Sequence, residues 1–517
     1  MRNEALSMLS MIKSSALQGI DSYPVSVEVD LSSGLPSFDI VGLPDSAVKE
    51  SRERVRTAVK NSGFSFPVKH ITVNLAPADT RKEGASFDLP IALGILCACG
   101  ALQNEAAADY FVTGELSLDG SVRPVNGVLP MVYGAKQNGI KKCFIPAENM
   151  DEAALIDGIS VYPVHSLKQI VAHLSGKDKI PPYSVDVKEL FGNKKESDIL
   201  DFAHVKGQEN AKRAMEIAAA GGHNFLMIGP PGSGKTMLAK RLPTILPDLT
   251  FEESIEITKI YSIAGLLRNK NSLIRTRPFR SPHHTISASA LTGGGRIPKP
   301  GEISLSHHGV LFLDELPEFQ RAALEIMRQP LEDGQVTIAR VNGTLTFPSD
   351  FMLVAAMNPC PCGYLGDGNK CHCSMNEIIR YRSKISGPLL DRIDIMVEMP
   401  GVSYEDLEIV EQGESSSNIK ERVLTAHEIQ LKRYQKEGIY FNAQLSAAQI
   451  EKYCALGPKE KEMLKQAFTR LDLSARAYHK ILKVARTVAD LAGSEEITLP
   501  HLAEVLQYRS LDRKYLL

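Results

Sequence analysis

At 517 residues the chain is too long for one hydrophobic core and long enough for two to four domains. Hydrophobic residues at 43% and charged residues at 23% exclude a disordered or fibrous chain. Lys+Arg 59 against Asp+Glu 61 leaves a net charge of -2, so any surface for nucleic acid must be local. The longest apolar run, residues 89–102, is broken by Pro90 and Gly94 and is too short to span a membrane. The N-terminus carries Arg2, Glu4 and Lys13 without an apolar leader, so a cytoplasmic protein is expected.

Residues 1–175 alternate strand-like runs, such as 25–29 and 70–75, with helical stretches at 46–61 and 131–138, the pattern of a mixed α/β domain. Residues 176–199 turn polar and lysine-rich and read as a linker with one short helix. Strands and helices alternate again over 200–400, which predicts a largely parallel α/β sheet. A second linker, 401–419, with Ser415, Ser416 and Ser417, leads into 420–517, where helical periodicity predicts an α-helical lid or bundle.

Within the second domain, Gly229-Pro230-Pro231-Gly232-Ser233-Gly234-Lys235-Thr236 fits the phosphate-loop pattern between a strand-like 224–228 and a helix-like 237–242. Glycines turn backbone N–H groups toward phosphates, Lys235 can neutralise their charge, and the Thr236 hydroxyl can ligate magnesium. ATP and magnesium are the cofactors this predicts. Val310-Leu311-Phe312-Leu313-Asp314-Glu315 is a buried strand ending in two acids, with Asp314 placed for magnesium and Glu315 for polarising water. A third apolar run, 351–357, ends in Asn358, whose amide could orient that water.

Cys360, Cys362, Cys371 and Cys373 follow at once, four thiols in two close pairs that could hold zinc, or form a reduced thiol cluster or a redox pair. Residues 335–347 alternate around Asn342-Gly343, a hairpin pattern. The pairs His283-His284 and His307-His308 read as hydrogen-bonded scaffolding before a second metal site.

In this order the motifs resemble the AAA+ ATPases. Arg280-Ser281-Pro282-His283-His284-Thr285 and the run from Gly293 to Ile303 narrow the likeness to the magnesium-chelatase-like branch, and the chain resembles its ComM/YifB subfamily nearly end to end. The resemblance implies an α/β multidomain protein: a Lon-protease-like N-terminal domain, an AAA+ module and a helical C-terminal domain. It implies that Arg392 is an arginine finger reaching a neighbour's γ-phosphate, that Arg476 touches the nucleotide from the lid, and that Gln208 lies near the adenine. Such a finger requires an oligomer, and the resemblance implies a homo-hexameric ring. The hairpin, with an insertion carrying Arg296 and Lys299, is expected to face the ring's pore, where Arg340, Arg296 and Lys299 are candidates to grip duplex or branched DNA by its phosphates. Ser86 matches the nucleophile position of Lon-type peptidases. The position of their partner lysine is Leu129 here, and Lys136 lies about 10 Å further along a helix, so proteolysis is expected to be lost. The expected activity is a DNA-remodelling ATPase of the branch-migration or helicase kind. The alternatives are a chelatase-type motor for metal insertion and an ATP-dependent protease.

Overall fold

The structure, a computed structural model, describes residues 9–192, 200–267, 273–295, 298–340, 343–366, 369–401, 413–471 and 473–515. The N-terminal part is built on a mixed sheet of β1 (Leu9–Gln18), β2 (Asp21–Ser32), β3 (Ser37–Val41), β4 (His70–Ala76), β5 (Tyr110–Val112), β8 (Lys142–Pro146) and β9 (Ser160–Val164), in the order β3-β4-β2-β1-β5-β8-β9. A small pair, β6 (Glu115–Leu116) and β7 (Val122–Arg123), lies beside it. In β2 and β4 every second residue is buried, with Val25, Val27, Val29 and Leu31 meeting the row Ile71, Val73 and Leu75. That period of two is the alternation of a strand with one face in a core. The apolar run becomes the helix Asp88–Ala98, buried on all sides through Cys97. Asp88 is fully buried at its start and is paired with Arg54 at 2.7 Å.

The second sheet contains β10 (Phe225–Ile228), β11 (Phe279–Arg280), β14 (Val310–Leu313), β17 (Met352–Met357) and β18 (Ile395–Glu398). It is parallel throughout, in the order β11-β14-β17-β10-β18. Its central strands are buried at every residue, as expected where both faces are covered. On one face, Phe225, Met227, Phe312 and Val354 share a core with the helix Glu209–Gly221 and with Val423, Ile481, Val484 and Leu502 of the C-terminal helices. On the other, Leu226, Ile228, Leu311 and Leu353 share a core with Val336, Ile338 and Phe347 of a two-stranded ribbon, β15 (Gln335–Arg340) and β16 (Gly343–Pro348). A smaller ribbon, β12 (Gly293–Gly294) and β13 (Lys299–Pro300), packs beside β15, since a Cβ on Gly293 would lie 3.0 Å from Ile338 Cδ1.

The C-terminal helices Ser416–Tyr434, Ala447–Tyr453, Pro458–Leu471, Ala475–Leu491 and Leu499–Tyr515 therefore form one core with the parallel sheet. A buried polar centre locks them: Asp490 accepts from Arg433 at 2.5 Å, Arg486 at 3.0 Å and Asn442 at 2.9 Å. His427 on the first of these helices stacks on Phe441 with ring centroids 4.6 Å apart, and its Nδ1 is buried without a partner. Burial and the nearby Arg277 push its pKa down from 6.5 to about 4. The unfolded chain therefore takes up this proton first as the pH falls. His427 is expected to cost stability progressively from pH 6.5 to 4, up to about 3 kcal/mol. Thermal unfolding of His427→Leu is expected to lose that part of the acid-side slope; an unchanged slope would count against a neutral buried imidazole.

The two sheets are joined through the helix Phe251–Ala264, which is opened by a Thr250–Glu253 capping box and ended by Gly265 at φ 72°. It packs on the helix Val128–Gln137 of the N-terminal part. Ser262 Oγ donates to Glu152 Oε2 at 2.6 Å, Gly127 N donates to Ser262 O at 3.1 Å, and Lys259 Nζ sits 3.9 Å from the Tyr133 ring centroid. Burial raises the Glu152 carboxyl. The polar stretch read as a linker holds one short helix, Val187–Gly192; Tyr183 before it donates to Asp151 at 2.7 Å. Residues 193–199 and 402–412 lie outside the described residues.

Candidate nucleotide site

Strand β10 ends where the sheet's carboxyl edge opens, and the loop 229–236 turns there into the helix Lys235–Arg241. Only glycine fits at 229, because a Cβ would stand 2.4 Å from Met399 O. Gly232 and Gly234 take φ of 78° and 88°, the left-handed region that lets successive N–H groups point inward. Lys235 Nζ donates to Gly229 O at 2.7 Å, Pro230 O at 2.8 Å and Asn358 Oδ1 at 3.3 Å. Its burial lowers its pKa, while Asp314 and Glu315 act to raise it.

Because β14 and β17 lie side by side with β10, their carboxyl ends bring Asp314, Glu315 and Asn358 to the same edge. Thr236 Oγ1 donates to Asp314 Oδ2 at 2.6 Å. This hydroxyl and carboxylate are hard oxygen donors of the kind magnesium takes, so the pair fits the ion. Glu315 is exposed and held at φ 52°, outside the usual range for a non-glycine residue. His284 Nδ1 lies 3.4 Å from its Oε2. Gln208, at φ 61°, donates to Pro400 O at 2.8 Å and so joins the entry of this module to the end of β18, beside the phosphate loop.

The two arginines lie elsewhere. Asp394 N and Ile395 N both donate to Asn224 O, so Arg392 stands before β18 at the amino edge of the sheet. A four-residue strand, about 13 Å, separates that edge from the phosphate loop. Arg392 donates to Pro388 O at 2.9 Å and pairs with Glu332; burial and the charges of Arg476 and Arg328 lower its pKa. Arg476 pairs with Asp391 at 3.0 Å. The helix Ala475–Leu491, which carries Arg476, packs at the amino edge, where Lys480 donates to Ile393 O at 2.8 Å, and the two arginines share one surface there.

Cys360, Cys362, Cys371 and Cys373 come together with all four sulfurs within 4.8 Å of one another. The Tyr364 backbone N–H, with the neighbouring thiols, lowers the Cys362 thiol to about 7. A second group, Glu256, His307 and His308, is equally close. There, however, His307 Nδ1 accepts from Asp350 N at 3.0 Å, so its Nε2 carries the hydrogen and donates to Glu256 at 3.3 Å. A protonated nitrogen cannot ligate a cation, and this group is hydrogen-bonded scaffolding.

Of the basic residues expected at the pore, Lys299 is exposed on β13 and Arg340 ends β15, whereas Arg296 and the tip Val341-Asn342 lie outside the described residues. In the N-terminal part, Leu129 is fully buried and its N–H faces Glu152 at 3.4 Å. Lys82, close to Ser86 in sequence, is buried, but its ammonium donates to the Pro77 carbonyl and to Thr80 O at 2.8 Å.

Sequence reasoning missed two residues. His284 was grouped with scaffolding, yet the neighbouring of β11 and β14 sets it beside Glu315. Arg280 entered only as part of a motif; it grips Glu302 of the other motif with two bonds, at 2.6 and 2.7 Å.

A parallel sheet in this strand order, with a phosphate loop after its fourth strand, β10, and acids after its second, β14, defines an AAA+ module of the magnesium-chelatase-like kind. Family models described as magnesium chelatase subunit ChlI match residues 201–407 and 27–149, and the model of that subunit's C-terminal part matches 413–509. The chain is 46% identical over 507 residues to Competence protein ComM of Haemophilus influenzae, covering 98% of each chain. It is 44% identical over 511 residues to Uncharacterized protein YifB of Escherichia coli, again covering 98% of each. Lon protease 2 of Bacillus subtilis is 34% identical over 128 residues, 24% of this chain. The chain belongs to the ComM and YifB family of magnesium-chelatase-like AAA+ proteins. The family implies ATP and magnesium, and its AAA+ members typically oligomerise. Among the described residues no helix is long and apolar enough to cross a membrane.

Proposed function

We propose that this chain is an ATP-hydrolysing homo-hexameric ring motor that binds and remodels DNA, moving branched or duplex strands in the manner of a branch-migration helicase. One observation carries the ring: Arg392 and Arg476 sit at the opposite end of the sheet from their own phosphate loop, so a site with arginine on its γ-phosphate needs a neighbour. Glu315 takes the proton of the attacking water, Asn358 orients that water, and Lys235 neutralises the phosphate charge. Thr236 and Asp314 hold magnesium, which when bound supplies charge neutralisation at the phosphates. Zinc on the four cysteines is the second metal of this reading.

DNA as the cargo is supported by the 46% identity to a competence protein and by two adjoining ribbons that carry Arg340 and Lys299. The Lon-like part meets the longer ribbon: a Cβ on Gly19 would stand 3.0 Å from Thr346 O of β16. It serves as a docking platform, since Leu129 replaces the base a peptidase needs. The rival reading, a motor for metal insertion, is favoured by the chelatase family models.

ATP-dependent strand exchange on labelled four-way and forked DNA tests the choice. Movement that disappears with Lys235→Ala is expected; robust ATPase without strand movement or DNA stimulation would favour the chelatase-type reading. Combined alanine substitution of Arg296, Lys299 and Arg340 is expected to weaken DNA binding and flatten its dependence on salt, because each lost phosphate contact removes about one unit of slope. An unchanged slope would move the grip elsewhere.

A further inference from the structure

The four cysteines close a loop whose start and middle adjoin the nucleotide machinery and whose far end returns to Pro359. Sulfur separations are 3.4 Å for Cys360 and Cys362, 3.8 Å for Cys360 and Cys371, and 3.6 Å for Cys362 and Cys371. A tetrahedral zinc ion with bonds of about 2.3 Å holds its sulfurs about 3.8 Å apart, so these three thiols stand near the spacing of a closed structural site, and the Cys373 sulfur lies within 4.8 Å of each. Four sulfurs leave no open position for catalysis.

The loop begins two residues after Asn358, whose Oδ1 accepts from Lys235. In its middle, Gly363 at φ 86° lies on the phosphate loop so closely that a Cβ would stand 2.5 Å from Pro231 Cδ. Gly363 N donates to Cys360 O at 3.0 Å, which ties this contact to the first thiol. At its far end Ser374, next to Cys373, caps the helix Met375–Arg382, and Arg382 donates back to Pro359 O at 3.1 Å. A cross-link at the thiols would therefore hold the near end, the phosphate-loop contact and the returning helix as one unit. Gly363 and Gly366 at positive φ give the segment between little stiffness of its own.

We propose that one zinc ion on Cys360, Cys362, Cys371 and Cys373 braces Pro231 and Asn358 in position for ATP, so that zinc occupancy sets the rate of hydrolysis. Each sulfur binds as a thiolate and gives its proton to solvent. This rests on the ATPase reading above, and the measurements separate the two. Elemental analysis of the purified full-length chain is expected to find one zinc per chain, and none in Cys371→Ser or Cys373→Ser. Those variants are expected to turn over ATP about tenfold more slowly or worse.

Gly363→Ala keeps every thiol. It is expected to keep its zinc and still lose turnover, with weaker binding of a fluorescent ATP analogue, because the added carbon displaces Pro231. Lys235→Ala is expected to keep its zinc while losing nucleotide. If the cysteine variants fail to fold, titrating wild type with a mercurial, while a metal dye reports release and the fluorescent nucleotide reports binding, makes the same test. Wild type that hydrolyses ATP without zinc, or that loses zinc with nucleotide binding and turnover unchanged, would overturn the proposal. Zinc-loaded wild type that binds nucleotide but never hydrolyses it would instead sink the ATPase reading.

Discussion

Glu315→Gln is expected to lower ATP turnover about 100-fold or more while the protein still binds nucleotide. The residue is exposed at the carboxyl edge of β14, one position past the acid bonded to Thr236, and a neutral amide of the same shape can still meet its neighbour His284. Its backbone is held at φ 52°, so the carboxylate points from a fixed turn. Removing the charge removes the acceptor for the water's proton and leaves Lys235, Thr236 and Asp314 in place. Lys235→Ala is expected to behave differently, because that ammonium ties the phosphate loop to Asn358 and would neutralise the phosphates bound there: nucleotide binding itself is lost. Binding of a fluorescent ATP analogue, measured beside steady-state hydrolysis, separates the variants. If Glu315→Gln hydrolyses ATP at the wild-type rate, another group activates the water, and His284 at 3.4 Å from the same carboxylate is the first to examine.

Arg392→Ala is expected to abolish turnover on the scale of an arginine finger, about 1,000-fold, although its own phosphate loop is untouched. In the single chain the guanidinium is half-buried against Pro388 and Glu332, about 13 Å along the sheet from its own phosphate loop. Arg476 stands beside it through Asp391 and is expected to fail in the same way. The sharpest measurement mixes two inactive proteins, Arg392→Ala and Lys235→Ala. A ring joining an intact phosphate loop from the first with an intact finger from the second regains activity at that interface. No recovery on mixing, with rings shown to exchange subunits, would remove the support for action between subunits.

Much of the nucleotide site was legible because it is written in contiguous runs. The loop 229–236 needs glycines at the left-handed and close-approach positions, and buried parallel strands read as unbroken apolar stretches ending in Asp314, Glu315 and Asn358. The cysteine cluster was legible for a similar reason, since a short loop can bring its own four thiols together. The helix 46–61 and the hairpin of β15 and β16 likewise follow from local periodicity and turn chemistry. What could not be read was anything depending on which strands become neighbours. His284 reaches Glu315 because β11 lies beside β14, and the pairing of Arg280 with Glu302 joins two segments that look unrelated in sequence.

The same limit applies to Arg476. A helical segment with an arginine at its start carries no statement about which edge of a distant sheet it packs on. The C-terminal helices in fact share the core of one sheet face through Val423, Ile481 and Leu502, and that burial draws Arg476 to Asp391 at the amino edge. By itself the sequence determined the chemistry available: a phosphate loop, two acids, a polar sensor, four thiols and a peptidase-like part without its base. Backbone propensity and side-chain type act within a few residues, and those features need nothing more. Only the tertiary structure decided where the arginines lie, that the thiol loop presses on Pro231, and that the helix Phe251–Ala264 occupies the face beside Leu129. Those are consequences of burying apolar faces between elements far apart in the chain, and no local pattern encodes them.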